Sequence, residues 1–440
     1  MKVWKFALIL ALIFCLTGAA ASAGEPLCVS LNGEAFLIGE DGSVLIPAGT
    51  FGAIMPLSIS ENKTLYAVSL PDSGLFALAD DAGNMLSEAV YDYIYAQDGV
   101  LFCLQGDAYG ALHENGSLQI PCEYSFLTAN GTGGFLALRS DPYDDIADGL
   151  YVIDETGEST ATGVKVLHLY TGMQEGLLPA VSPENHLYGY LGADGHWAIP
   201  PQYDYADIFI DGCAQASIST GCGIISRDGK WLLSPKYEFV DTADGIGHYR
   251  LAYTRAGVAL IEKDTWQTAA EYENASGQAM EGGYLAVFTP EETIFFGPDG
   301  GERFRLTGDL LFWDMHSDGA VIQTGEWGEA CFHLYDLSGN RVSDGYQMLG
   351  RLCDGLYQTG RFEVKKTEYD GGELVLNEEM PNTMRFGCID SQGREILPME
   401  YTTLYALSDD RLWLEKDGKG YLADKNGQII AEYAAGEGKP

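Results

Sequence analysis

Tyr188-Gly189-Tyr190-Leu191-Gly192-Ala193-Asp194-Gly195-His196-Trp197-Ala198-Ile199-Pro200-Pro201-Gln202-Tyr203-Asp204 is followed by a second stretch, Cys222-Gly223-Ile224-Ile225-Ser226-Arg227-Asp228-Gly229-Lys230-Trp231-Leu232-Leu233-Ser234-Pro235-Lys236-Tyr237-Glu238. The two superpose without a gap, 34 residues apart. Each holds a glycine and a tyrosine eight positions apart, Gly195 with Tyr203 and Gly229 with Tyr237. The same step joins Gly83 to Tyr91, Gly116 to Tyr124 and Gly393 to Tyr401, and Asp264 to Tyr272 with Asp in the glycine place. A spacing that returns across a chain marks a repeated supersecondary unit.

The chemistry of each copy predicts strands. A short apolar run such as Gly223-Ile224-Ile225 leads to Asp228-Gly229, a tight-turn signal because glycine takes positive φ without steric cost, and Trp231-Leu232-Leu233 returns. Prolines 121, 200, 235 and 398 then read as strand ends, since proline removes a ladder donor. A third apolar stretch follows in many units, as at Phe135-Leu136-Ala137-Leu138, so the expected unit is a three-stranded antiparallel meander. Weaker copies run from Tyr109 to Tyr124, Gly257 to Tyr272, Phe386 to Tyr401 and Gly420 to Tyr433, and degenerate ones bring the count to about eleven units of roughly 38 residues.

The expected fold is therefore all-β: tandem antiparallel β-meander repeats over 24–433, stacked as propeller-like blades or an open β-superhelix. Eleven units exceed the usual four to eight blades of one ring, which favours an open array or two unequal propellers. The interval between Gly339 and Gly393 stretches to 54 residues, so 361–384 reads as a loop insertion, and 434–440 as a polar tail. The recurring tyrosine is expected to seal one unit against the next, its ring buried and its hydroxyl on a carbonyl or water. Trp197 and Trp231 are expected to pack likewise, and a glycan-stacking ladder is the functional alternative for such aromatics.

This grammar resembles the bacterial WG-repeat family, whose units read as aromatic-Gly, an apolar strand ending in Asp, a turn Gly, a second strand, then Pro and Tyr. The naming Trp is replaced here by Tyr109, Tyr188, Cys222 and Phe386, and the literal Trp327-Gly328 sits five residues ahead of the place the grammar asks for. The resemblance implies a β-repeat module frequent on secreted or envelope proteins and carries no catalytic residue across.

Lys2 and Lys5, the apolar run Phe6–Leu16 and the small-residue site Ala21-Ser22-Ala23 describe a signal peptide over 1–23, with the mature chain beginning near Gly24. The expected location is thus secreted or surface-associated. No later segment approaches the roughly 20 apolar residues of a membrane helix. Removing 1–23 leaves 23 basic against 64 acidic side chains in 417 residues, a formal charge of −41. That charge repels nucleic acid and anionic headgroups. With 46% hydrophobic residues the chain is still expected to fold around a core.

Local signals for chemistry are few. The seven histidines form no His-Glu-x-x-His, no phosphate-cradling glycine loop with lysine occurs, and Ser226–Trp231 lacks the residues an Asp-box needs between Asp, Gly and Trp. No catalytic, cofactor-binding or metal residue is assigned, and no cofactor is expected. The densest acidic group, Asp141, Asp144, Asp145 and Asp148, is the best calcium candidate by its oxygen donors, with a solvated loop as the simpler reading. Eight cysteines follow the leader, and Cys213 and Cys222 are a candidate pair across one hairpin. The expected function is an extracellular, non-catalytic binding or scaffold protein presenting its repeats to a protein or glycan partner. A secreted glycan hydrolase on a propeller scaffold is the alternative.

Overall fold

The structure, a computed structural model, describes residues 26–60, 63–71, 73–139, 149–167, 169, 172–242, 247–308, 310–324, 331–362 and 384–434. The leader 1–23, the Asp141–Asp148 cluster, Trp327-Gly328, nearly all of the insertion 361–384 and the tail beyond residue 434 lie outside them.

Among the described residues the chain forms eleven antiparallel sheets and a single short 3-10 turn, Glu281–Gly283. In chain order the blades are 1 (27–46), 2 (53–79), 3 (93–124), 4 (126–161), 5 (178–203), 6 (205–237), 7 (239–273), 8 (276–307), 9 (310–335), 10 (348–401) and 11 (403–434). Seven of them have four strands, where the sequence predicts three. The extra strand starts two residues after the recurring tyrosine in blades 6 and 7, where it is only Tyr205–Ala206 and Phe239–Val240. Two residues show no periodicity, which is why this strand is invisible in the sequence.

Blade 6 explains the repeat grammar. Its third and fourth strands, Gly221–Ser226 and Trp231–Tyr237, pair at Ile225↔Trp231, Ile224↔Leu233 and Cys222↔Tyr237, so Ser234-Pro235-Lys236 bulges opposite Gly223 alone. A Cβ on Gly223 would stand 2.4 Å from the Leu233 carbonyl oxygen. The glycine after the aromatic is thus fixed by the backbone folding over it. The proline does not end the strand as expected; it sits in a bulge on an outer strand, where no ladder donor is required.

The turn glycine has a second duty. Gly229 has φ +75°, and a Cβ there would meet Ile199 Cγ2 at 3.0 Å and the Tyr203 hydroxyl at 3.2 Å, both from blade 5. The Tyr203 hydroxyl donates to the Gly229 carbonyl at 2.9 Å. At this joint the glycine and the tyrosine of the grammar meet, the tyrosine of one blade reaching the turn of the next.

The chain divides into two compact units, one of residues 90–320 with 337–340 and one of the remainder, the division passing through blade 9. In the first, the apolar core lies between consecutive blades. Phe102, Ile120 and Tyr124 of blade 3 meet Leu127 and Phe135 of blade 4; Ile199 and Tyr203 of blade 5 meet Ala206 and Ile225 of blade 6; Leu233 and Tyr237 of blade 6 meet Val240 and Ala252 of blade 7. Each such tyrosine contributes about 1.5–3 kcal/mol of burial that its own blade could not supply.

In the second unit the same packing joins blades 10 and 11, then 11 and 1, then 1 and 2. Leu27, Phe36 and Ile38 of blade 1 form one cluster with Trp413, Leu422 and Tyr433 of blade 11. The first and last blades are thus neighbours, which is propeller-like stacking and differs from the free-ended open array that the repeat count favours. A repeat that must bury a face against a neighbour leaves two faces bare in an open stack, and this contact covers both.

Candidate functional site: a row of exposed rings

The tyrosines of the eight-residue ruler are structural. Tyr91, Tyr124, Tyr203, Tyr237 and Tyr401 are buried, and Tyr272 is half-buried. Trp231 packs edge-on against Tyr203 at 5.8 Å between ring centroids, and Trp197 lies half-buried beside Leu150 and Leu191. These aromatics form the joints between blades and leave no ladder for a ligand.

Two residues further on, the same grammar produces a different aromatic. Tyr93, Tyr205 and Phe239 each follow a buried tyrosine and one acidic residue, in Tyr91-Asp92-Tyr93, Tyr203-Asp204-Tyr205 and Tyr237-Glu238-Phe239. They are 37%, 42% and 47% exposed. The acidic residue between them is a bend, so the ring opens a new strand beyond the buried tyrosine. The chain has by then entered the next blade, where nothing covers that position as fully.

Register puts these rings at one end of their blades. In blade 6, Tyr205 pairs with Ser217, Ser217 with Cys222 and Cys222 with Tyr237. In blade 7, Phe239 pairs with Tyr253, Tyr253 with Val258 and Val258 with Tyr272. In blade 3, the row runs Tyr93, Leu104, Tyr109, Tyr124. Each of these three blades thus carries an exposed ring on its first strand and a ruler tyrosine on its last, level with one another.

Support for the rings comes from beneath. Tyr205 leans on Tyr188 with centroids 5.5 Å apart, Phe239 on Tyr253 at 5.9 Å, and Tyr93 on Tyr95 at 6.0 Å. Tyr253 is itself anchored, its hydroxyl donating to the Gly277 carbonyl at 2.8 Å. Partial burial and the carboxylate of Asp207 hold the Tyr205 hydroxyl above its ordinary range, so it is neutral and able to donate at physiological pH. Asp204 and Glu238 are exposed beside the rings, and Glu238 has Arg255 at 3.3 Å. The arrangement can stack a flat or cationic group on a ring face and accept hydrogen bonds at the adjoining carboxylates.

Two carboxylates held below their ordinary range are occupied elsewhere. Asp228 is held down to about 2 by Lys230 and the Ser226 hydroxyl, and Asp154 is lowered by the Thr156 hydroxyl and the Glu158 amide. Both brace hairpin turns. Cys213 and Cys222 do not face one another as the sequence suggests: Cys213 pairs with Ser226 and Cys222 with Ser217, because the hairpin turns at Ser219-Thr220, two residues beyond the turn that pairing requires. Among the described residues no group of three or more His, Cys, Asp or Glu is placed to hold a metal ion, and no helix is long and apolar enough to cross a membrane.

Comparison with known proteins agrees with this repeat grammar. No curated protein sequence matches the chain. Solved structures that resemble it include a dihydro-heme d1 dehydrogenase, NirN (14% identity, TM-score 0.32, 64% of this chain and 73% of that one), a eukaryotic initiation factor (9%, 0.42, 93% and 96%) and the surface component PorZ of Porphyromonas gingivalis (10%, 0.24, 96% and 53%). Likenesses this remote bear on neither activity nor partner. The family model described as WG containing repeat matches residues 188–218, 223–246 and 386–419. Those stretches hold the bulged proline strands of blades 5, 6 and 10, and there the chain carries WG repeats.

Proposed function

We propose that the protein is an extracellular, non-catalytic binding or scaffold protein that presents one end of its blades to a protein or glycan partner. The observation that carries this reading is the pair Tyr205 and Phe239, equivalent and half-exposed rings on adjacent blades, each beside an exposed carboxylate. A repeat array multiplies one modest contact, so a ring worth little alone gains from its neighbours when a partner spans two blades. The extracytoplasmic placement rests on the leader-like residues 1–23.

Of the two partner classes, the acidity favours a protein with exposed Lys and Arg. The chain carries a formal charge of −39, and cations already sit over rings within it: Lys236 on Tyr237 at 5.0 Å and Arg139 on Tyr151 at 5.0 Å. The test compares the protein with its Tyr205→Ala/Phe239→Ala variant for binding to basic polypeptides and to a panel of neutral polysaccharides. Binding to a basic polypeptide that weakens tenfold or more in the variant and falls with salt supports the reading. Binding that the substitutions leave untouched removes these rings from it. Turnover of a polysaccharide by the protein would replace it with the hydrolase.

A further inference from the structure

Cys103 and Cys122 approach to 3.5 Å between sulfurs in blade 3. Cys103 lies on the strand Val100–Gln105, opposite Gly110 of Ala108–Leu112. Cys122 lies in the bulged strand Leu118–Tyr124, which folds over that glycine. A Cβ on Gly110 would meet the Cys122 sulfur at 2.8 Å and its backbone nitrogen at 3.0 Å. The glycine of the repeat thus leaves a gap into which the Cys122 side chain turns, and the Cys103 side chain stands next to it on the same face.

The other blades provide an internal control. Where blade 3 has Cys103 opposite the repeat glycine and Cys122 two residues before the ruler tyrosine, blade 5 has Ala180 and Pro201, blade 6 has Ala216 and Pro235, and blade 10 has Thr359 and Met399. These facing positions are common to the repeat, and blade 3 fills both with cysteine.

We propose that Cys103 and Cys122 form a disulfide that staples the inner half of blade 3 to its outer strand, with a low-molecular-weight disulfide such as oxidised glutathione as the oxidant. Cys122 is the half-exposed partner and Cys103 the buried one. The Cys122 thiolate attacks one sulfur of the oxidant and releases one glutathione thiolate. The Cys103 thiolate then attacks the Cys122 sulfur of the mixed disulfide and releases the second. Two protein thiols lose two protons and two electrons, and the glutathione disulfide bond is reduced to two thiols. The sulfurs need to close by about 1.5 Å to reach bonding distance, a movement within reach of side-chain rotation. Burial pushes both thiols up from their ordinary range, so the reaction accelerates as pH rises.

The experiment equilibrates the purified protein with oxidised glutathione, alkylates free thiols and maps peptides without reduction. The expected result is a cross-linked peptide pair containing Cys103 and Cys122, formed roughly tenfold faster for each pH unit between 7 and 8.5. In Cys103→Ala the expected product is a lasting glutathione adduct on Cys122. That variant carries the residue that blades 5 and 6 have naturally, so it is expected to fold. Alkylation of both thiols after prolonged exposure, or a bond from either to any other cysteine, overturns the proposal.

Discussion

The hydroxyl of Tyr433 donates to the carbonyl of Gly42 at 2.8 Å, joining residues 391 positions apart. It repeats the bond from Tyr203 to Gly229, between successive blades 26 positions apart. Around it, Tyr433 packs at a tilt against Phe36 and Trp413 at centroid distances of 5.5 Å each, and the Arg411 side chain donates to the Glu40 carbonyl at 3.2 Å. The last blade treats the first as its next neighbour, with the same contact that joins blade 5 to blade 6.

Removing that contact should therefore weaken the protein through its ends. Tyr433→Phe is expected to cost about 1 kcal/mol, the net value of one hydrogen bond, and Tyr433→Ala about 3–5 kcal/mol through the cavity it leaves. Urea denaturation followed by tryptophan fluorescence reads both. If the two variants unfold like the wild type, the docking of blade 11 on blade 1 contributes nothing to stability.

The repeat glycine gives a sharper steric test. Gly223→Ala places a methyl carbon 2.4 Å from the Leu233 carbonyl and 2.9 Å from the Pro235 nitrogen, both backbone atoms. The bulged strand must shift, and the expected penalty is about 1–3 kcal/mol or more. A loss below about 0.5 kcal/mol would show that the bulge relaxes freely and that another force fixes this glycine.

How much of this was legible depends on range. Gly195 to Tyr203 is a local spacing, set by one turn and one bulged strand, so the sequence displays it in copy after copy. The first strand of each blade is not legible where it is only Tyr205–Ala206. Contact between Tyr433 and Gly42 leaves no local trace either, because each residue simply obeys the grammar of its own blade. The exposed rings had a visible signal, an aromatic two residues after the ruler tyrosine. It was hidden by the stronger expectation that every periodic aromatic in the array is core.

Exposure predicts that these rings can be removed without harm to the fold. Tyr205→Ser and Phe239→Ser are expected to change stability by no more than about 1 kcal/mol, since Tyr205 loses its contact with Tyr188 and an exposed hydrogen bond with Asp207, and Phe239 its contact with Tyr253. Tyr203→Ser and Tyr237→Ser, two residues earlier, should cost about 3 kcal/mol or more. Parallel melting curves of the four variants check the division between joint and surface. Equal losses at both positions would place the exposed rings in the core.

Alkaline pH should loosen the joints. Burial, with the Asp41 charge adding to it, pushes the Tyr433 hydroxyl up to about 12 from an ordinary value of 10, and burial raises Tyr203 as well. A folded-state value above the unfolded one means that the folded protein holds its proton longer. The resulting stability is complete below pH 10 and disappears as pH climbs toward 12. The melting temperature is expected to fall across that window, and in Tyr433→Phe to fall less steeply, because phenylalanine has no proton to lose. An equal slope in wild type and variant would mean that Tyr433 titrates as freely in the folded chain as in the unfolded one.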